Sequence, residues 1–274
     1  YVNLKARHNL NFTIGKQFVN FGGYEYYVNS IRVREFSEFN NLLTAYQAGI
    51  SGNWQVNPDH ELCFQIVNNR NGNDEDIYPT GLPEGTAKAK IPFMYTVNWN
   101  SYYLDKALQL RYATAVGQQT RKRYSYYFTC GNTYEKGPLL TYLDVMYTRQ
   151  GIDQHGVVSR LPGTPHTAMN TEYLSIIGDV DYRVHPQWNV YVKGAYETAR
   201  VYKGNGDFRK GMYRRSWNAQ SSVEFFPFKQ LDLFVFVLYT YRGVILEKAA
   251  TRMGAIEPDT HRISLGLVYS IPVF

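Results

Sequence analysis

Alternation of apolar and polar residues is the feature that most limits what this chain can fold into. It runs along nearly the whole sequence, whereas apolar residues at helical spacing are hard to find. In the segment 45–56 one parity is apolar and the other polar, with apolar residues at Tyr46, Ala48, Ile50, Trp54 and Val56. Successive side chains of a β-strand point to opposite faces of a sheet. The pattern therefore predicts an all-β protein whose strands each have one apolar face.

Segments of this kind recur about thirteen times, at 1–6, 10–18, 45–56, 62–66, 93–99, 108–116, 124–132, 138–149, 172–184, 188–200, 213–227, 231–243 and 261–273. Many exceed the roughly 5–6 residues of a typical globular strand and are long enough to cross a bilayer at a tilt. The mean hydropathy of −0.40 resembles that of a water-soluble protein, and no run approaches the roughly 20 apolar residues of a spanning helix. A transmembrane antiparallel β-barrel remains compatible, because only alternate residues of its strands must be apolar.

The connections between these segments alternate in length. Short turns are predicted at 57–60, 134–137, 185–187 and 228–230, and long polar connections near 18–44, 69–90, 150–170, 202–212 and 244–260. Short turns on one rim and long loops on the other are typical of outer-membrane barrels. Aromatic residues near strand ends are expected to form interfacial girdles: Trp54, Trp99, Tyr102, Tyr103, Trp188, Tyr239 and Tyr241. The alternative is a soluble barrel in which these aromatics form an ordinary core.

Charged residues follow the polar parity of the strands. If the apolar parity faces lipid, the expected pore-lining residues are Lys5, Arg111, Asp144, Arg183, Lys193, Arg214 and Arg242. Further acidic residues share that parity: Glu61, Asp179, Asp181, Glu197, Glu224 and Asp232. Charges of both signs in strand interiors do not fit a dry core, so the sequence predicts a hydrated channel.

The connection after the strand 10–18 combines glycines, aromatics and charges. Arg32 and Arg34 share a parity, and Glu35 follows them directly. If this loop folds into the barrel, it narrows the pore and places guanidinium groups at the constriction. The alternative is an exposed loop outside the membrane.

A family resemblance starts in this region. The segment Ile14–Glu25, the residues Tyr46–Gly49 and the run Phe64–Gly72 resemble the phosphate-selective porin O/P family in its Bacteroidota branch. The resemblance implies one domain over 1–274, a barrel of about 16 strands with about 13 in this chain, and strands missing before residue 1. It also implies a long third external loop, here 18–44, folded into the pore. A homotrimer or a larger outer-membrane complex follows from the same resemblance.

The function expected from this resemblance is passive diffusion of small hydrophilic solutes and ions, including anions such as phosphate. The inward set carries six basic and seven acidic residues, so phosphate selectivity does not carry over directly. The alternative is a non-conducting barrel that serves as a scaffold or accessory subunit of a larger outer-membrane complex. The expected partners are outer-membrane lipid, lipopolysaccharide and small anions or polar solutes.

Other functional classes find little support in the sequence. The six histidines are scattered without metal-ligand spacing or a nucleophile motif, so neither an enzyme nor a cofactor is expected. The basic runs Arg121-Lys122-Arg123 and Arg214-Arg215 are too small for a nucleic-acid footprint.

Overall fold

The computed structural model describes residues 1–19, 21, 46–68, 82–83, 85–87, 89–90, 92–154, 156–161, 167–228 and 233–269. The strands are β1 Val2–Arg7, β2 Leu10–Phe18, β3 Tyr46–Asn57, β4 His60–Asn68, β5 Phe93–Tyr103, β6 Leu108–Gln118, β7 Tyr124–Lys136, β8 Leu139–Ile152, β9 Met169–His185, β10 Trp188–Val201, β11 Gly211–Phe225, β12 Leu233–Leu246 and β13 Thr260–Tyr269. A short helix, α1, spans Lys248–Thr251. No described helix has the length and apolar character needed to cross a membrane.

All thirteen strands form one sheet whose spatial order is the chain order, β1 to β13. Each neighbouring pair is antiparallel, so the sheet is an up-and-down meander. The predicted all-β antiparallel architecture and the thirteen strands are therefore confirmed. A total of about 16 strands in the complete protein stays a prediction.

The two faces of the sheet have opposite chemistry. On β10, Val192 is 52 % exposed, whereas its neighbour Lys193 is 1 % exposed. The same inversion holds on β4, where Phe64 is 42 % exposed and Gln65 is 4 % exposed. A water-soluble protein buries the apolar side chains and exposes the charged ones. This sheet therefore has an apolar outer face and a polar inner face, as a barrel in lipid requires.

The connections alternate as predicted for most of the sheet. Tight connections join β1 to β2, β3 to β4, β5 to β6, β7 to β8 and β9 to β10, and we call this rim the short-turn end. The opposite rim, the long-loop end, carries the long connections 153–168, 202–210 and 247–259. The connection 119–123 is short although it lies at the long-loop end. The predicted turn residues 229–230, the acidic Asp232 and the loop from residue 22 to 44 lie outside the described residues.

Tyr102 was predicted to lie in an interfacial girdle, but its side chain is on the inner face of the sheet. Tyr102 shares its parity with Asn98 and Asn100 on the inner face of β5, where its hydroxyl accepts a hydrogen bond from Gln109 at 3.4 Å. Its neighbour Tyr103 is 45 % exposed on the outer face. The expectation for Tyr102 was wrong because two adjacent tyrosines in a strand face opposite sides.

Two glycines are covered by the aromatic rings of their cross-strand partners. Gly52 of β3 pairs with Phe64 of β4, and Gly266 of β13 pairs with Phe236 of β12. A Cβ on either glycine would lie 2.4 Å from the ring of its partner. The rings therefore occupy the space that a side chain would fill, which fixes the local register.

Candidate pore and its mouth

The inner face is built from alternate residues of consecutive strands. Direct cross-strand pairing joins Glu61, Asn100 and Arg111 in one row across β4, β5 and β6. Their side chains are linked: Arg111 Nε donates to Asn100 Oδ1 at 3.0 Å, and Asn100 Nδ2 donates to Glu61 Oε2 at 3.4 Å. A carboxylate and a guanidinium are thus held on one wall by an intervening amide.

Carboxylates on β9, β10 and β11 are held by short polar side chains. Asn189 donates to Asp181 Oδ1 at 2.7 Å and to Glu224 Oε2 at 3.0 Å. The carboxylate of Glu197 accepts hydrogen bonds from Ser175 at 3.3 Å and Ser216 at 3.4 Å. Short polar side chains therefore fix the positions of three carboxylate groups on this part of the inner face.

Lys193 lies among these acidic residues. It pairs in register with Asp179 of β9, and its Nζ lies 5.9 Å from the ring centroid of Tyr142. Asp144 lies on β8, two residues from Tyr142 on the same face, and is 2 % exposed. Carboxylates of β8 and β9 thus lie on the same side of the sheet as this ammonium group.

Arg214 and Arg242, both predicted to line the pore, contact the same carboxylate, that of Glu257, which the sequence analysis did not predict. Arg214 Nη2 lies 3.0 Å from Glu257 Oε1, and Arg242 Nη2 contacts the same oxygen. Arg214 and Arg242 lie on the adjacent strands β11 and β12, while Glu257 belongs to the connection before β13. No parity argument applies to a loop residue, so the strand pattern contained no signal for Glu257.

The remaining predicted lining residues lie at the short-turn end. Lys5 is on the exposed strand β1, next to Asn11 of β2. Arg183 is exposed near the end of β9, with its Cζ 4.0 Å from the ring centroid of Phe226. The structure therefore does not bring Lys5 and Arg183 into the networks described above. The predicted constriction residues Arg32, Arg34 and Glu35 lie outside the described residues.

An apolar cluster fills part of the inner space at the long-loop end. The connections supply Val19, Phe21, Val158, Leu161, Ala168, Phe208, Ala250 and Ala255. The inner faces of the strands supply Val67, Met94, Ala113, Ala115, Tyr127, Met146, Tyr173, Ala199, Val201 and Tyr213. We call this set the loop cluster. Four connections thus fold inward and pack against the wall, a feature that strand periodicity does not predict.

A buried carboxylate holds one of these connections in place. Asp153 Oδ2 accepts hydrogen bonds from the backbone N–H groups of Val158 at 3.0 Å and Ser159 at 2.8 Å, and from the Ser159 hydroxyl at 2.7 Å. Ser159 Oγ in turn accepts a bond from the Ala168 N–H at 2.8 Å. The connection between β8 and β9 is therefore folded around Asp153.

A cavity of about 710 Å³ opens at the long-loop end. Its lining includes the basic run Arg121, Lys122 and Arg123, together with Thr120 and Asn205. Arg123 Nη1 donates to the Gly151 carbonyl at 3.2 Å, which fixes the run against β8. Three cations at one opening create a positive local potential.

The apolar outer face, the charged inner face and the alternating connections define an outer-membrane porin barrel. The sequence model of the family described as phosphate-selective porin O and P matches residues 1–271. The chain therefore belongs to this family, its location is the outer membrane, and its class is a channel for solute diffusion rather than an enzyme.

Solved structures with the same fold have very different sequences. The loop L8 deletion mutant of OmpT from Vibrio cholerae has a TM-score of 0.56 and 12 % identity, covering 96 % of this chain and 76 % of that chain. The outer membrane channel DcaP of Acinetobacter baumannii has a TM-score of 0.56 and 11 % identity, covering 96 % and 72 %. A trimer form of OmpT has a TM-score of 0.51 and 12 % identity, covering 95 % and 75 %. No curated protein matches the sequence significantly.

Proposed function

We propose that this porin conducts small hydrophilic solutes and ions by passive diffusion, with a modest preference for small anions, phosphate among them. The observation that carries the proposal is the polar inner face. Polar and charged side chains occupy inner positions of consecutive strands, among them Gln65, Thr96, Asp144, Lys193 and Glu197. Charges of both signs do not fit a dry core, because a charge removed from water is costly. Their distribution over several strands supports a hydrated lumen.

The predicted lining residues give this lumen charges of both signs. Arg111, Asp144 and Lys193 lie on inner positions of β6, β8 and β10. Mixed charge favours hydrated ions of either sign over apolar solutes, so it supports permeation without strong ion discrimination. Arg214 and Arg242 add positive charge on the neighbouring strands.

We assign the preference for anions to the mouth of the pore, by which we mean the cavity at the long-loop end. Arg121, Lys122 and Arg123 line the cavity at the long-loop end, and a cluster of cations raises the local concentration of anions. In outer-membrane barrels the longer loops are extracellular, so this cavity meets solutes that arrive from outside. Arg32, Arg34 and Glu35 stay our candidates for a constriction deeper in the pore.

Ion conductance across a planar bilayer tests the proposal. We expect stable open steps, and a reversal potential in asymmetric KCl that indicates a modest preference for chloride over potassium. Replacing Arg121 and Lys122 with glutamine should reduce that preference, whereas Arg32→Ala with Arg34→Ala tests the deeper constriction separately. An unchanged reversal potential in the first double variant would contradict the role of the mouth.

A second candidate function has support from the loop cluster. Apolar side chains from four connections close part of the long-loop end, as expected of a barrel that acts as a scaffold or accessory subunit. The absence of conductance in bilayers that contain correctly inserted protein would favour this function. Stable steps in the unmodified protein would exclude it.

We also propose a homotrimer. The support is the trimer form of OmpT from Vibrio cholerae, which shares the fold, and the implication of the family resemblance. Native mass spectrometry of the protein released from detergent micelles should give three times the mass of the chain. A mass of a single chain over a range of detergents would contradict the trimer.

A further inference from the structure

Charged side chains on the outer face gather at the long-loop end of β8 to β12. Arg149, Arg200 and Arg215 share the outward parity of their strands, as does Glu172. Glu247 follows β12 directly, and its Oε1 lies 3.0 Å from Arg215 Nη2. We call these five residues the outer arginine band. The same strands carry exposed apolar residues further from the loops, such as Val192 and Val223.

The band is ordered by direct cross-strand pairing. Glu172 of β9 pairs in register with Arg149 of β8 on one side and with Arg200 of β10 on the other. With neighbouring strands about 4.8 Å apart, the backbones at the two arginines lie about 10 Å from each other. Arg215 lies on the next strand, opposite Thr198, which is two residues from Arg200 toward the short-turn end.

Each guanidinium is oriented by contacts that leave much of it accessible. Arg200 Nε lies 3.0 Å from Glu172 Oε2, and Arg149 Nε lies 3.8 Å from Oε1 of the same carboxylate. The Arg149 guanidinium also stacks on the Tyr202 ring, with its Cζ 3.9 Å from the centroid. The exposed side-chain fractions are 48 % for Arg149 and 45 % for Arg200. Glu172 contacts Arg149 and Arg200 through Nε, whereas Arg215 contacts Glu247 Oε1 through Nη2 at 3.0 Å.

Position in the membrane explains why charge is tolerated there. An outward arginine costs about 2–4 kcal/mol at the bilayer midplane but only about 0–1 kcal/mol near the interfaces. The band therefore marks the headgroup level, and the long loops place it in the outer leaflet. Directly below it the outer face is aromatic: Trp217 is 40 % exposed, and its ring centroid lies 5.5 Å from that of Tyr196.

We propose that the outer arginine band binds a phosphate group of lipopolysaccharide, with the acyl chains lying along the aromatic and aliphatic surface below. The chemistry is complementary: a guanidinium fork binds phosphate through two parallel N–H groups, and three arginines exceed two carboxylates in charge. Glu172 is a positioning residue that contacts the guanidinium groups of Arg149 and Arg200 and keeps them apart. The proposal depends on the outer-membrane location and not on whether the pore conducts.

Native mass spectrometry of the complete porin, purified in detergent and incubated with lipopolysaccharide, tests the site. The double variant Arg149→Gln, Arg200→Gln should retain at least roughly tenfold less lipopolysaccharide than the unmodified porin. Each basic residue near an anionic membrane surface contributes measurably to lipid binding. The matched control is Lys106→Gln with Lys136→Gln, which removes the same charge at the short-turn end and should retain the wild-type amount.

A second experiment changes the lipid and leaves the protein unmodified, so its result does not depend on whether the variants fold. Wild-type protein should bind enzymatically dephosphorylated lipopolysaccharide roughly tenfold less than the phosphorylated form. Equal binding of both lipids would overturn the proposal. So would equal lipid retention in the Arg149/Arg200 variant and the control. A changed oligomeric mass with unchanged lipid retention would assign the band to a subunit contact and overturn it as well.

Discussion

The hydroxyl of Tyr173, on the inner face of β9, donates a hydrogen bond to Asp153 Oδ1 in the connection that precedes that strand. Both residues are almost fully buried, at 1 % and 0 % exposure. Since Asp153 Oδ2 holds the Val158 and Ser159 backbone, this bond ties the folded connection to the barrel wall. The position of the loop cluster therefore depends on a polar contact as well as on apolar packing.

Tyr173→Phe should loosen this connection without changing the shape of the core. A hydrogen bond to a charged group contributes about 1.5–3 kcal/mol, and the substitution leaves a buried carboxylate oxygen without that donor. We expect a larger single-channel conductance and a lower thermal unfolding temperature. Tyr191→Phe, on the inner face of β10 near the short-turn end, serves as the control. Identical conductance in both variants would show that Tyr173 does not hold the connection in the conduction path.

Leu161→Ala together with Phe208→Ala should widen the mouth. Both side chains belong to the loop cluster and come from different connections. Removing them takes apolar volume out of the inner space, so we expect larger conductance steps in planar bilayers. The loss of packing should also lower stability by about 2–5 kcal/mol for each truncation. Unchanged conductance with normal insertion would mean that the cluster lies beside the path and does not limit it.

Neutralising opposite charges on the inner face should shift ion selectivity in opposite directions. Lys193→Gln removes a buried cation and should lower anion preference, whereas Asp144→Asn removes a buried carboxylate and should raise it. The reversal potential in asymmetric KCl measures both effects, and each variant is the control for the other. Shifts of the same sign would contradict a lumen lined by both residues.

Two glutamates test how much the ion pairs contribute to stability. Glu257→Gln leaves Arg214, whose side chain is 5 % exposed, without its carboxylate, and should cost about 1–3 kcal/mol. Glu247→Gln breaks a pair with Arg215 whose side chains are 28 % and 42 % exposed, and should cost about 0–1 kcal/mol. Urea unfolding from phospholipid vesicles measures both. An equal loss of unfolding free energy in the two variants would contradict the difference in burial between the two ion pairs.

Much of the fold follows from the sequence because period-two alternation reports directly which face of a strand touches lipid. That argument places Lys193 and Val192 on opposite sides of β10, and the structure agrees. It fails for residues outside strands. Glu257, Asp153 and the loop cluster have positions set by contacts between distant connections, and alternation contains no information about these.

The central claim is that the apolar face of each strand contacts hydrocarbon while the polar face borders water. Cysteine accessibility at the adjacent positions 192 and 193 tests it most directly, with Cys63 and Cys130 replaced by serine and the protein in lipid vesicles. A charged, membrane-impermeant thiol reagent should modify Lys193→Cys, whereas Val192→Cys should react only with a lipophilic maleimide. Modification of Val192→Cys by the charged reagent at the same rate as Lys193→Cys, or faster, would contradict the account.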